Sequence, residues 1–299
     1  NPILTYLEDD GHKIEPEYYV PVIPMVLVNG TEGIGTGFSC YVPPFNPTEI
    51  KNNIERALEG QNIIPLNPWF KGFKGTVEKE DKHTWMFEGR WTEDDFIHIT
   101  ELPPGRWTQD YKEHLDSLIE KKIISGYKNK STIENVDFEI YNYTGNAIIK
   151  DFKLQKAIHT SNMHLFHPKF GIKKYESAEE ILVDFLEIRL DLYKKRKANI
   201  LNSFVKEQNE LQNKCRFIQN VVDNTIVIFK QKKTSIEKKL EDLKFVKINS
   251  DYDYLLNIKT YQYTEEEIEK LNNKLKEIQK EIQTLKKTKI VDLWKADIN

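Results

Sequence analysis

Cysteine is almost absent: Cys40 and Cys215 are the only two in 299 residues. Two isolated thiols give no disulfide framework and no cysteine-based zinc site, and they fit a reducing compartment. Also missing is any apolar run near the roughly 18 residues that a membrane-spanning helix needs. No signal-peptide pattern opens the chain, so no membrane partner is expected. A dominant charge is lacking too, with 44 Lys and Arg against 47 Asp and Glu. Glycine and proline, common in the first half, vanish between 178 and 222. No nucleophile with a neighbouring base and no poised carboxylate cluster can be found, so no catalytic residue is expected in this segment. His159, His164 and His167 lie close in sequence, but Asp151 is the only nearby acid and the spacing suits no common zinc pattern. No metal or cofactor is therefore expected here. The chain starts at Asn1 rather than Met, which suggests a piece of a longer polypeptide.

The near-neutral total hides a local bias. Residues 1–60 hold nine Asp and Glu against Lys13, Lys51 and Arg56. Residues 150–174 reverse this, with Lys150, Lys153, Lys156, Lys169, Lys173 and Lys174 against Asp151 alone. Such a stripe suits a polyanion, or equally a solvated lysine face.

Residues 1–45 read as extended or irregular, and the apolar run Tyr18–Val28 as a buried strand or extended core segment. It opens into Asn29-Gly30-Thr31-Glu32-Gly33-Ile34-Gly35-Thr36-Gly37, a loop whose backbone can approach another molecule closely. The lysine that a nucleotide-binding loop needs is missing. Two readings of Ile34 remain. It is either an exposed apolar wedge against DNA or a side chain buried under a tight structural turn, and composition favours the second.

A helix should follow, with Asn46 as N-cap, Pro47 at N1, Ile50, Ile54 and Leu58 on one face, and Gly60 ending it. Strand-like stretches at 73–79, 83–91 and 96–101 predict one small antiparallel sheet. A helix from Gln109 to about Ile124 should be capped by Thr108. More strand is expected at 135–153 and 163–167.

Ser177 and Glu180 form a capping box. From Ala178 to Val222 nothing breaks a helix, giving a rod of roughly 68 Å. Tyr193, Lys197, Ile200, Phe204, Gln208, Leu211, Cys215, Ile218 and Val222 recur along it at three or four residues. A second box, Thr264 with Glu267, starts another helix. Ile268, Leu271, Leu275, Ile278, Ile282 and Leu285 give it a heptad seam, so the two should pack antiparallel. Between them, 223–263 should form a small knob with a β-rich stretch at Thr225–Phe229 and a short helix at Ser235–Leu243. Tyr252, Tyr254, Leu255 and Leu256 would either fill its own core or meet a partner. The fold class expected is α+β: a mixed α/β domain, then a long antiparallel helical coiled coil with a small globular domain at its tip.

Glu15-Pro16-Glu17-Tyr18-Tyr19-Val20-Pro21-Val22-Ile23-Pro24-Met25-Val26-Leu27-Val28-Asn29-Gly30, with Glu32-Gly33-Ile34-Gly35-Thr36-Gly37, closely resembles a segment of eukaryotic or viral type II DNA topoisomerases. That segment lies just after the active-site tyrosine region. Pro43-Pro44-Phe45-Asn46-Pro47, Pro68-Trp69-Phe70-Lys71-Gly72-Phe73-Lys74-Gly75-Thr76, Glu101-Leu102-Pro103 with Arg106-Trp107-Thr108-Gln109, Tyr254-Leu255-Leu256 and Asp292-Leu293-Trp294-Lys295 continue the resemblance in family order.

The resemblance implies a DNA-binding, DNA-bending and exit-gate part of an ATP-dependent enzyme. That enzyme passes one duplex through a transient break in another. Ile34 would intercalate, with Gly33, Gly35 and Thr36 beside the DNA. Arg106, Lys112, Lys153, Lys156, Lys173 and Lys174 would contact phosphates. Tyr252, Tyr254, Leu255 and Leu256 would form a dimer gate with a second copy. The implied domains are 1–45 (end of a winged-helix region and the intercalating loop) and 46–176 (tower). The arm would comprise 177–222 and 264–290, and the exit gate 223–263. Mg2+ and ATP would serve the full-length enzyme, and the cleaving tyrosine would lie upstream of Asn1. The family's Glu-Leu-Pro-Val-Arg-Thr-Trp-Thr pattern is altered here to Pro104-Gly105-Arg106-Trp107. A short stretch between Leu115 and Phe152, with Lys- and Asn-rich composition, points to a large DNA virus, or else a protist. Its location would be the nucleus if cellular, and host replication sites or the virion if viral. Two other readings are a chromosome-organising coiled-coil protein without catalysis and a gyrase-type breakage subunit.

Overall fold

A computed structural model describes residues 2–167, 171–248 and 250–299, so Lys169 lies outside the described residues. Two compact units divide the chain: Val20–Ile188 with Ile298, and Asn1–Tyr19 with Arg189–Asp297 and Asn299. Among the described residues no helix is long and apolar enough to cross a membrane.

The opening residues form an antiparallel hairpin of β1 (Tyr6–Asp9) and β2 (His12–Pro16), regular structure where irregular chain was expected. The run Tyr18–Val28 is not a strand. Tyr18 and Tyr19 are exposed, and the run ends in a short helix, α1 (Met25–Asn29), with Leu27 fully buried. Pro21 and Pro24 lack the N–H groups that a sheet ladder needs. The Pro24 carbonyl instead accepts from the Leu27 and Val28 amides.

The loop at 29–37 is itself half of a hairpin, β3 (Thr31–Gly35) with β4 (Phe38–Val42). Next comes α2 (Pro47–Leu58), where the Asn46 side chain accepts from the Thr48 amide at 2.9 Å. It ends in a Schellman motif, with Gln61 N–H donating to the Arg56 carbonyl and Gly60 N–H to that of Ala57.

The single sheet expected over 73–101 is two sheets. In one, β6 (Thr84–Glu88) is the central strand, paired on one side with β5 (Thr76–Lys79) and on the other with β11 (Gln155–His159). In the other, β7 (Trp91–Glu93) pairs β8 (Ile97–Ile99), β8 pairs β10 (Phe138–Tyr141), and β10 pairs β9 (Gly126–Asn129) at the far edge. The chain changes sheets at Gly89, where any Cβ would strike the Glu101 carbonyl and the amide donates to Leu154 O at 2.9 Å. Against the second sheet lies α3 (Thr108–Glu120), burying Tyr111, Leu115 and Leu118 on Ile99, Phe138, Ile140 and Phe152. Its N-cap is Trp107, not Thr108, and no side chain caps it. The stretch expected as strand to 153 instead turns into α4 (Ile148–Asp151). β12 (Met163–His167) and β13 (Gly171–Tyr175) close this unit's strands as a separate hairpin.

A continuous helix, α5 (Ala178–Val222), runs 45 residues, and the Ser177 hydroxyl accepts from the Glu180 amide. In the second unit, α6 (Lys233–Asp242) and α7 (Asp253–Leu256) surround a core of Phe217, Ile226, Leu240, Phe245, Tyr252 and Leu255. Thr225–Phe229 carries no strand: the Ile226 amide bonds back to the Asn220 carbonyl, spending the residue on a helix end. Thr264 caps α8 (Glu265–Lys287), with its oxygen accepting from the Glu267 amide. Leu271, Leu275, Ile278 and Ile282 of α8 pack on Leu201, Phe204 and Leu211 of α5. The helices run in opposite directions, since Glu207 meets Lys274 at 2.9 Å while Lys197 reaches back to the Thr288 carbonyl at 2.6 Å. A last helix, α9 (Ile290–Ile298), was not anticipated; Trp294 stacks on Tyr193, whose hydroxyl donates to Asp297 at 2.7 Å.

Candidate functional site

All the residues singled out for contact with a polyanion belong to the unit Val20–Ile188. In β3–β4, Ile34 stands opposite Ser39, and Gly35 opposite Phe38. Strand alternation puts Ile34 on one face and Phe38 on the other. Its same-face neighbours along the chain, Glu32 and Thr36, are polar and themselves exposed, and Ser39 opposite is short, so none of them covers it. The result corrects the buried reading that composition favoured: Ile34 is 85% exposed and Phe38 84%. Full burial of such a side chain is worth about 1.5–3 kcal/mol, which the fold forgoes at both positions. Gly33, Gly35 and Thr36 are exposed alongside. The hairpin's root is narrow. Gly30 has φ +69°, and a Cβ there would meet the Val42 carbonyl at 2.7 Å, so this position demands glycine.

The hairpin β12–β13 lies beside β4. Tyr41 N–H donates to Asn162 O at 2.9 Å, the Asn162 side chain donates to the Ser39 hydroxyl at 2.7 Å, and the Cys40 thiol donates to His164 O at 2.9 Å. Its inner face is fixed by Asp184 of α5. That carboxylate meets Lys173 at 2.6 Å and His167 at 3.7 Å, and bonds the Tyr175 hydroxyl. Burial works to raise the Asp184 carboxyl, but the Lys173 and Tyr175 hydrogen bonds outweigh it and hold it below the usual carboxylate value.

The proposed phosphate ligands divide accordingly. Arg106, Lys150 and Lys153 line one groove with Trp91, Asn146 and Gln155. The Arg106 Nε is buried without a hydrogen-bond partner. Lys153 is exposed and Lys112 half-buried on α3. The field of Lys153 and Arg106 is felt nearby at His114, which donates to the Asp151 carbonyl at 2.8 Å. Desolvation first, and then Lys153 and Arg106, push its pKa below the ordinary histidine value. Lys174 is exposed and, among the described residues, its ion pair is with Glu176, at 3.3 Å across the surface.

Two lysines are less available than the sequence suggested. Lys156 lines a groove with Thr31, Glu32 and Tyr41, but its ammonium already donates to Pro104 O at 3.0 Å. Lys173 faces inward onto Asp184 and the Tyr175 ring, because alternation along β13 sends Lys174, not Lys173, outward.

The gate residues also need correction. Tyr252 and Leu255 are buried in their own core, the Tyr252 hydroxyl donating to Phe245 O at 3.2 Å. Tyr254 is half-buried and donates to Val246 O at 2.6 Å; Leu256 is half-buried against the same core. Among the described residues of 223–263, the large apolar side chains left exposed are instead Val227, Phe229, Val246 and Tyr261. Nothing in their spacing separated them from core residues. Trp107, Phe38, Phe166 and Ile172 were missed for the same reason. Among the described residues, no group of three or more His, Cys, Asp or Glu is placed to hold a metal ion.

Comparison with known proteins places the chain in a family. A family model for the A-type subunit of DNA gyrase/topoisomerase IV matches residues 1–299. DNA topoisomerase 2 of Penicillium chrysogenum is 36% identical over 341 aligned positions, covering 100% of this chain and 21% of the relative. That of Acanthamoeba polyphaga mimivirus is 34% identical, covering 99% of this chain and 30% of the relative. The chain thus spans less than a third of the length of these relatives. Because 341 positions align with 299 residues, the Penicillium protein carries residues without a counterpart here. A crystal structure of the Plasmodium falciparum topoisomerase II DNA-binding, cleavage and re-ligation domain superposes with a TM-score of 0.86 at 35% identity. It covers all of this chain and 46% of that one. Mixed α/β architecture, motif order and whole-chain similarity converge: this chain belongs to the DNA gyrase/topoisomerase IV family, on the side of its A-type subunit.

Proposed function

We propose that this chain is the DNA-bending and exit-gate part of an ATP-dependent type II DNA topoisomerase, working as a homodimer on double-stranded DNA. The observation that carries this reading is Ile34, an aliphatic side chain 85% exposed on a glycine-flanked hairpin. Inserted between base pairs, it would open one step and kink the duplex. Unstacking costs a few kcal/mol, offset where the bent duplex lies along more cationic surface. Arg106, Lys112, Lys153 and Lys174 are the phosphate ligands, and they position DNA rather than read its sequence.

The antiparallel pair α5 and α8 acts as a coiled-coil arm, and 223–263 as a gate that meets its counterpart in a second copy. The exposed Val227, Phe229, Val246 and Tyr261 replace Tyr252 and Leu255 as the gate surface. Mg2+ and ATP would serve the full-length enzyme through segments other than this one. The cell nucleus, or viral replication sites and virions, is the corresponding location.

The test is fluorescence energy transfer between the ends of a short duplex bound to this chain. The wild-type chain should shorten the end-to-end distance. Ile34→Ala should restore most of the unbent signal while binding weakens little. Equal bending by both proteins removes the wedge role.

A further inference from the structure

We propose that the hairpin β12–β13 is a second duplex-contacting element, which lays the exposed pair Phe166 and Ile172 in a groove while Lys174 of the same face takes a phosphate. This rests on the proposed function, which already gives Lys174 a phosphate, and it adds an apolar contact by Phe166 and Ile172 for which that reading has no role.

Register decides which residues face out. Phe166 stands opposite Ile172, and His164 opposite Lys174, so these four share one face of the ribbon. The other face is occupied by Lys173, His167 and Tyr175 on Asp184. Phe166 is 85% exposed and Ile172 66%. Scattered exposed apolar residues are ordinary. A cross-strand aromatic and β-branched pair is different, because partners about 5 Å apart form one continuous apolar surface.

Three features point to a duplex rather than a protein. A two-stranded ribbon fits a DNA groove. The apolar pair is followed, two residues on, by a lysine and a histidine rather than an acid. Among the described residues Lys174 pairs with Glu176, with both side chains about half exposed, a surface pair that a phosphate can replace at little cost. Continuity adds to this, since hydrogen bonds from Tyr41, Cys40 and Asn162 join the ribbon to the hairpin that carries Ile34. The contact is apolar and to the backbone, so it carries no sequence preference.

The experiment measures duplex affinity of this chain by fluorescence anisotropy across a range of salt. Phe166→Ala with Ile172→Ala should weaken binding about fivefold or more at every salt concentration, leaving the slope of log K against log salt unchanged. Lys174→Ala should instead lower that slope by about 0.9, the signature of one lost phosphate contact. Phe166→Leu should bind within about twofold of wild type, and the melting temperature of each variant should be unchanged because the side chains are exposed. If the double variant binds as wild type while Ile34→Ala still loses bending, this inference fails and the proposed function stands. A change in sedimentation without a change in affinity would make the ribbon a contact between copies and overturn it equally. If the wild-type chain neither binds nor bends DNA, both fall together.

Discussion

The hairpin tips of the unit Val20–Ile188 and the small core around Phe217 use the same kinds of residue to opposite ends. Around Phe217, aromatic and aliphatic side chains drawn from α5, α6 and α7 enclose one another, and even Tyr252 finds a backbone acceptor inside. In β3–β4 and β12–β13, Ile34, Phe38, Phe166 and Ile172 stand exposed to water. Composition does not separate the two cases. What does is whether the chain returns over the residue. A segment that ends a helix and starts another must fold back, whereas the two-residue turn Thr36-Gly37 between β3 and β4 does not.

Substitutions should expose this contrast most sharply. Phe217→Ala removes the centre of an enclosed aromatic cluster and should cost about 3–5 kcal/mol, read as a fall in the denaturation midpoint of that unit. Asn46→Ala deletes the cap of α2 and should cost about 1 kcal/mol, detectable by thermal melting. At His114 the expected effect is a shift rather than a loss. Its folded pKa is depressed, so the stability it supports is present above about pH 6.5 and declines as pH falls toward the folded value. A proton-NMR titration should place it below an ordinary histidine, and added duplex should move it upward as phosphates neutralise Lys153 and Arg106. Ile34→Ala should change folding stability by less than about 0.5 kcal/mol in a urea titration. A larger loss would mean that the side chain has a cover in solution and would erase the contrast.

The helical half was legible because its signals are local. The capping residues Ser177 and Thr264, the unbroken run to Val222 and the seam through Ile278 and Ile282 each declare a helix without reference to distant chain. The strands were less so. β5 and β6 were visible as strands, yet their separation from β7 and β8 turns on Gly89, whose lack of a Cβ matters only because Glu101 lies against it. The helix α1 hid in a valine-rich run whose prolines denied it a ladder. Of the site, glycine spacing marked the hairpin but not its exposure. Lys156 and Lys173 could be counted as cations, but their internal partners, Pro104 and Asp184, are invisible to a one-dimensional reading. The gate residues erred the other way, since Tyr252 resembles a surface aromatic until its hydroxyl is seen to reach Phe245.

Asp184 has one more implication, for how this protein can change over generations. With Lys173 and Tyr175 anchored to it, β13 has a fixed inside and outside. Inserting one residue between them would turn the ribbon over, swapping grease for charge on its outer side in a single event. Variation in this hairpin should therefore come as substitutions or paired insertions, and a lone added residue would mark a lineage whose ribbon meets something else.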